Sequence, residues 1–239
     1  MLTTKNNLLL LIILLLLLGF LPKTAFAQNE VIRTLDLFEK VEFEGHGFIQ
    51  LKKGEENRIW LQSNGKVDLA NIKTEIIDNT LHIRHEKGNT EVDFEILPKI
   101  SVHLTYTSME DLRLMGKIKV QTVDAIKGDD FHLKAEGYIT GEVAVDVINF
   151  DLIAEGYARL AVTGSADSQH IQLEGLGKIK ADELASKEVD INIDGSSYIS
   201  LNVSKALYAN VRGQARLEYS GQPRIQKIDK EEQAFVGTF

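Results

Sequence analysis

The sequence predicts an all-β chain: a right-handed, single-stranded parallel β-helix (β-solenoid) of about 19-residue rungs, with a more irregular β segment on its N-terminal side. Three observations carry the prediction. A short glycine-centred pattern returns five times between Asp130 and Gly221, apolar and polar residues alternate with period two through most of the rest, and no segment has a helical period of useful length.

The first 27 residues read as a signal peptide. Lys5 gives a positive start, Leu8 to Leu18 an apolar run, and Ala25-Phe26-Ala27 a small-x-small cleavage site, so Gln28 is the expected mature start. The apolar run ends at Pro22 and is short for a spanning helix of about 20 residues, so no stable membrane span is expected after cleavage. The expected destination is the periplasm, the cell surface or the medium.

From Gln28 to Gly221 the chain reads as the β-solenoid. Val41 to Leu51 alternates about Gly45 and Gly47 and looks like the first rung. Strands follow over Ile59–Leu61, Ile72–Ile76, Leu81–Ile83 beyond the Asp78-Asn79 turn, Val92–Ile96 and Ile100–Leu104. Their irregular spacing predicts a sheet-like cap on the repeat stack. Leu112 to Gly116 restarts the pattern 21 residues before Gly137.

The five repeats read FHLKAEGYITGEV from Phe131, FDLIAEGYARLAV from Phe150, HIQLEGLGKIKA from His170, VDINIDGSSYISL from Val189 and LYANVRGQARLEY from Leu207. Their glycines, Gly137, Gly156, Gly175, Gly195 and Gly213, are 19, 19, 20 and 18 residues apart. A unit that short cannot bury a core alone and must stack on its neighbours. Counted from the glycine, position −4 holds Leu133, Leu152, Ile171, Ile191 and Ala209, and −2 holds Ala135, Ala154, Leu173, Ile193 and Val211. Even positions therefore face inward. At zero and +2 the inward residues shrink to glycine, Ala158, Gly177, Ser197 and Ala215, which predicts a corner with no interior room for a side chain. Residues 222–239 read as a short charged tail.

Composition limits what such a chain can do. It has 239 residues, of which 44% are hydrophobic and 26% charged, with three prolines and no cysteine, so disulfides and thiolate metal sites are excluded. Without residues 1–27 it keeps 25 basic and 35 acidic residues, a net charge of about −10, and nucleic acid is not an expected partner.

The order VEFEGHGFIQLKKGEENRIWLQ, then IKTEIIDNTLHI, then glycine-centred repeats ending in LEYSGQP, resembles the bacterial auto-transporter adhesin, head GIN domain family, over about Leu35 to Pro223. The resemblance implies an exported, extracytoplasmic protein of Bacteroidetes type, a β-helix broadly similar to pectin-lyase-like solenoids, no established catalytic residues, and an adhesion role.

Function belongs on the odd, outward positions. Position −1 holds Glu136, Glu155, Glu174 and Asp194, and −5 holds His132, Asp151, His170 and Asp190. Together they read as a divalent-cation patch, with calcium the candidate, because hard cations take clustered oxygens. The alternative is a solvated strand face offset by Lys134, Lys178 and Arg159, with His and Asp paired across rungs. Tyr138 and Tyr157 at +1, with Arg159, Lys178, Tyr198 and Arg216 at +3, suit a sugar ring, which stacks on an aromatic face while its hydroxyls are bonded. Tyrosine also favours strands for packing alone.

Enzyme signatures are absent: there is no phosphate loop, nucleophile elbow or His-Glu-x-x-His. A polysaccharide-degrading alternative would use Asp151, Lys134 and Arg159. The sequence therefore predicts a non-enzymatic binding module for a glycan or an envelope protein, with polysaccharide degradation and a structural envelope role as alternatives. Open sheet edges allow self-association.

Overall fold

The computed structural model describes residues 30–63, 68–86 and 99–239; the expected signal peptide and the strand over Val92–Ile96 lie outside them. Within them the chain is all-β. Eleven strands, β1 (Glu30–Thr34), β2 (Lys40–Lys53), β3 (Arg58–Ser63), β4 (Ile72–Ile77), β5 (Thr80–His85), β6 (Ile100–Tyr106), β7 (Asp111–Thr122), β8 (Ile126–Gly213), β9 (Arg216–Ser220), β10 (Ile225–Lys230) and β11 (Phe235–Thr238), join in one sheet. One 3-10 turn, Leu69–Asn71, is the only helical element among the described residues.

The register follows the glycines. β2 pairs parallel with β7 so that Gly45 meets Gly116, and β7 pairs parallel with β8 so that Gly116 meets Gly137. Inside the 88 residues of β8 the ladder goes on. The Cβ position of Gly156 would lie 2.7 Å from the carbonyl oxygen of Gly137, and that of Gly175 2.5 Å from the oxygen of Gly156. Side chains keep the same step: Phe131 stacks on Phe150 in the interior, centroids 6.0 Å apart, and Asn149 donates to Asp130 at 2.7 Å on the surface.

Even positions do face inward, and Leu133, Leu152, Ile171, Ile191, Leu173, Ile193 and Val211 are all buried. Burying each such side chain contributes about 1.5–3 kcal/mol, so the interior columns drive the stacking. The corner differs from the expectation. Ile118 and Ile139 fill position +2 and are fully buried, so there is interior room. Glycine is needed at zero for another reason: Gly137, Gly156 and Gly175 have φ of 102°, 100° and 115°, and a Cβ there would strike the backbone of the preceding repeat.

The N-terminal side is the irregular cap. β5 and β6 lie parallel on the two halves of β2, while β4 pairs antiparallel with β5, β3 with β6, and β1 with β3. The β4–β5 hairpin turns through Asp78 and Asn79 at φ of 49° and 64°, the left-handed pair that a two-residue hairpin demands. At the other end the residues expected as a charged tail carry β10, parallel to Ala206–Val211, and β11, parallel to β9.

Candidate functional site

The alternation that buries even positions presents odd ones in two strips on either side of the glycine ladder. The first strip carries positions −5, −3 and −1. Part of its charge is paired. The Arg113 guanidinium donates to Glu136 at 2.7 Å and holds that carboxyl below its usual value, aided by Lys134 at 3.2 Å. Lys134 also reaches Glu155 at 3.4 Å, and the bond to Glu136 raises the Lys134 ammonium. His132 pairs with Asp151 at 2.7 Å and His170 with Asp190 at 3.8 Å, while Glu174 accepts from Gln172 at 3.0 Å.

Much of the expected cation patch is therefore arranged as cross-repeat pairs, with Glu174 bonded inside its own repeat. Among the described residues no three His, Asp or Glu side chains come together as a group that could hold a metal ion. Of the three basic residues expected to offset this strip, Lys134 does so; Arg159 and Lys178 sit on the second strip and line a different depression. The trio of the degradative alternative is divided in the same way, with Asp151 and Lys134 lining one depression and Arg159 another.

The second strip carries positions +1, +3 and +5. Tyr138 and Tyr157 stack face to face, centroids 4.5 Å apart and planes within 6°, and Tyr138 is 46% exposed. The 19-residue repeat itself makes this platform, since in-register stacking sets equivalent side chains one strand spacing apart, about 4.8 Å. Tyr198 is placed differently. Its hydroxyl donates to Glu218 at 2.5 Å, which pushes the phenol up, and the Lys178 ammonium sits 5.0 Å from its ring centre. It braces the strip rather than offering a free face.

Two adjoining depressions that share Lys119 and Thr140 lie on this strip, and Tyr138 lines one of them. One, about 490 Å³, is lined by Lys119, Thr140, Glu142, Arg159, Lys178 and Lys180. The other, about 470 Å³, is lined by His46, Phe48, Lys99, Lys117, Lys119 and Tyr138. Lys119 and Arg159 are exposed and make no ion pair among the described residues. Sequence reasoning named Tyr138, Tyr157, Arg159 and Lys178 here but missed Lys117, Lys119 and Lys180. Counting the same columns from Gly116, and one position further to +5, would have found them.

The family model described as "putative auto-transporter adhesin, head GIN domain" matches residues 37–223. The crystal structure of a putative adhesin from Bacteroides fragilis has a TM-score of 0.80 at 18% identity, covering 90% of this chain and 99% of that one. One of a putative adhesin from Parabacteroides distasonis has a TM-score of 0.69 at 16% identity, with coverages of 88% and 96%. Another from the same species, described as a putative lipid binding protein, has 0.62 at 15% identity, with coverages of 88% and 97%. At these identities the likeness establishes a shared fold. No curated protein matches the sequence.

Proposed function

The chain belongs to the auto-transporter adhesin, head GIN domain family, and on that premise we propose that it is an exported, non-enzymatic adhesion module whose contact surface is the second strip, with a carbohydrate as its ligand. The observation that carries the proposal is the Tyr138–Tyr157 platform, a flat, partly exposed aromatic face beside Lys119 and Arg159. A pyranose ring stacks its axial hydrogens on such a face and takes its hydrogen bonds from cations at the rim. The scaffold is read as a right-handed β-solenoid. From β7 onward, in-register parallel pairing at steps of 18 to 21 residues supports the winding, and the twist preference of L-residues favours that hand.

Two features favour binding over catalysis. Among the described residues every carboxyl whose titration is displaced, Glu86, Glu136, Asp146, Asp182 and Glu218, is displaced downward, and a general acid needs the opposite. Both depressions on the strip are broad and shallow beside a flat sheet, a surface suited to a chain polymer rather than to an enclosed small substrate. Among the described residues no helix is long and apolar enough to cross a membrane.

A glycan array on the purified protein, with calcium and with chelator, tests the proposal. Specific binding that is lost in Tyr138→Ala/Tyr157→Ala and unaffected by chelator supports it. Binding that survives the double substitution contradicts it, and calcium dependence would return the contact to the His–Asp–Glu strip.

A further inference from the structure

Resting on the carbohydrate reading above, we infer that the ligand of the second strip is an anionic polysaccharide, one bearing carboxylate, sulfate or phosphate groups, laid along the axis of the stack. The chain as a whole is acidic, with a formal net charge of −8. Several of its cations elsewhere are paired with acids: Arg113 and Lys134 on Glu136, Lys127 on Asp146 at 3.6 Å, Lys187 on Asp167 at 2.6 Å, and Arg212 on Asp229 at 2.7 Å.

The second strip gathers its cations side by side. Lys119, Arg159, Lys178 and Lys180 surround one depression in which Glu142 is the only carboxylate, and Lys119 continues into the adjoining depression with Lys117 and Lys99. Cations held this close repel one another, and gathering four of them around a single lining carboxylate raises the positive potential of that depression on an otherwise acidic protein. A polyanion relieves that repulsion, whereas a neutral glycan does not.

The geometry selects a polysaccharide among polyanions. Cations recur along the stack at the repeats of Gly116, Gly156 and Gly175, with Thr140 and Glu142 at the Gly137 repeat between them; Lys117 lies at one end of the tyrosine pair and Arg159 two residues beyond Tyr157 on the same strip. Equivalent positions lie one strand spacing of about 4.8 Å apart along the stack, so an extended polymer laid along it meets the stacked tyrosines and the cations on both sides of the Gly137 repeat. The tyrosines supply the stacking and the cations supply charge selectivity and fast encounter.

The test compares four probes on the purified protein: polygalacturonate, dextran sulfate, neutral dextran and inorganic polyphosphate, each at low and high salt. The expected result is that both acidic polysaccharides bind at least about tenfold more tightly than dextran and weaken by about tenfold at high salt, where charge is screened within a few ångströms. Lys119→Gln/Arg159→Gln abolishes that preference without changing the melting temperature, Lys119→Arg retains it, and Lys127→Gln/Lys187→Gln on another face has no effect. Polygalacturonate against dextran sulfate shows which acid group is preferred.

Equal binding of dextran and the acidic polymers, lost with the tyrosines, overturns the anionic inference and leaves the carbohydrate reading standing. Binding of polyphosphate as tight as that of the acidic polysaccharides, and kept in Tyr138→Ala/Tyr157→Ala, overturns the polysaccharide assignment in favour of a general polyanion surface. Binding of none of the four overturns the inference and the carbohydrate reading together.

Discussion

Substituting Gly175 by valine puts the stacking account at risk in one residue. Gly175 has φ of 115°, where an L side chain is strained by about 1–3 kcal/mol. Its Cβ would also lie 2.5 Å from the Gly156 carbonyl oxygen and 3.3 Å from that residue's carbonyl carbon, and these are backbone atoms that cannot rotate away. Overpacking of this kind adds about 1–3 kcal/mol. The sum, about 2–6 kcal/mol, is a large part of the ~5–15 kcal/mol that holds a typical domain together. At about 2–4 °C per kcal/mol for a chain of this size, the melting temperature falls by roughly 5–20 °C. Thermal unfolding followed by circular dichroism measures it. Gly128→Ala is the control, since its Cβ would approach nothing nearer than the Asp130 oxygen at 3.8 Å. If Gly175→Val melts within about 2 °C of the parent, the register of the glycine ladder is wrong.

Three further outcomes are expected. Gln169 is buried, donates to Ser186 and leaves its Oε1 without a partner, so Gln169→Leu/Ser186→Ala removes an uncompensated polar group and raises stability by about 1–3 kcal/mol in urea unfolding. His103 lies between Gln50 and Gln62 at 3.1 Å each, with its ring 5.0 Å from that of Trp60, and burial lowers its titration below the ordinary 6.5. The unfolded chain therefore takes up that proton first, so stability is lost as pH falls through this range; the fluorescence of Trp60, the single tryptophan, should titrate below 6.5, and His103→Gln should abolish the step. Arg113→Met frees Glu136 from its guanidinium. Because the bond depresses the carboxyl, its stabilisation is present at neutral pH and lost as pH falls through the depressed value, and the variant should show the Glu136 titration moving up toward the ordinary carboxylate range by NMR.

Much of this architecture was legible because burial writes itself into periodicity. Leu133, Ile171 and Val211 fall on an inward column whether or not a structure is at hand, and the cap strands β3, β4, β5 and β6 stand out by alternation between turn residues. The purpose of the glycines was less legible. A sequence shows that Gly137 and Gly175 recur, but only backbone angles show that they are demanded by a left-handed φ and the neighbouring carbonyl, and buried Ile118 and Ile139 contradict the crowded-interior explanation.

Charge placement was legible only in part. Column counting set Lys134 beside Glu136 and put Arg159 and Lys178 at +3 with the tyrosines, yet it could not show that Arg113 would take the same carboxylate or that those +3 cations would not reach the acids at −1. Net charge hid the basic strip, because an excess of acids elsewhere outweighs it. Residues 222–239 were missed as strands because Ile225, Ile228 and Phe235 remain exposed at the end of the stack and leave no clean alternation to read.

Lysine-reactivity footprinting tests the assignment of the contact surface most directly. The purified protein is acylated alone and with polygalacturonate, and each lysine is read by mass spectrometry. Protection confined to Lys117, Lys119, Lys178 and Lys180, with Lys127, Lys134 and Lys187 unchanged, is the result the account predicts. Protection of Lys134 or Lys187 in place of that set would put the contact on another face and contradict it.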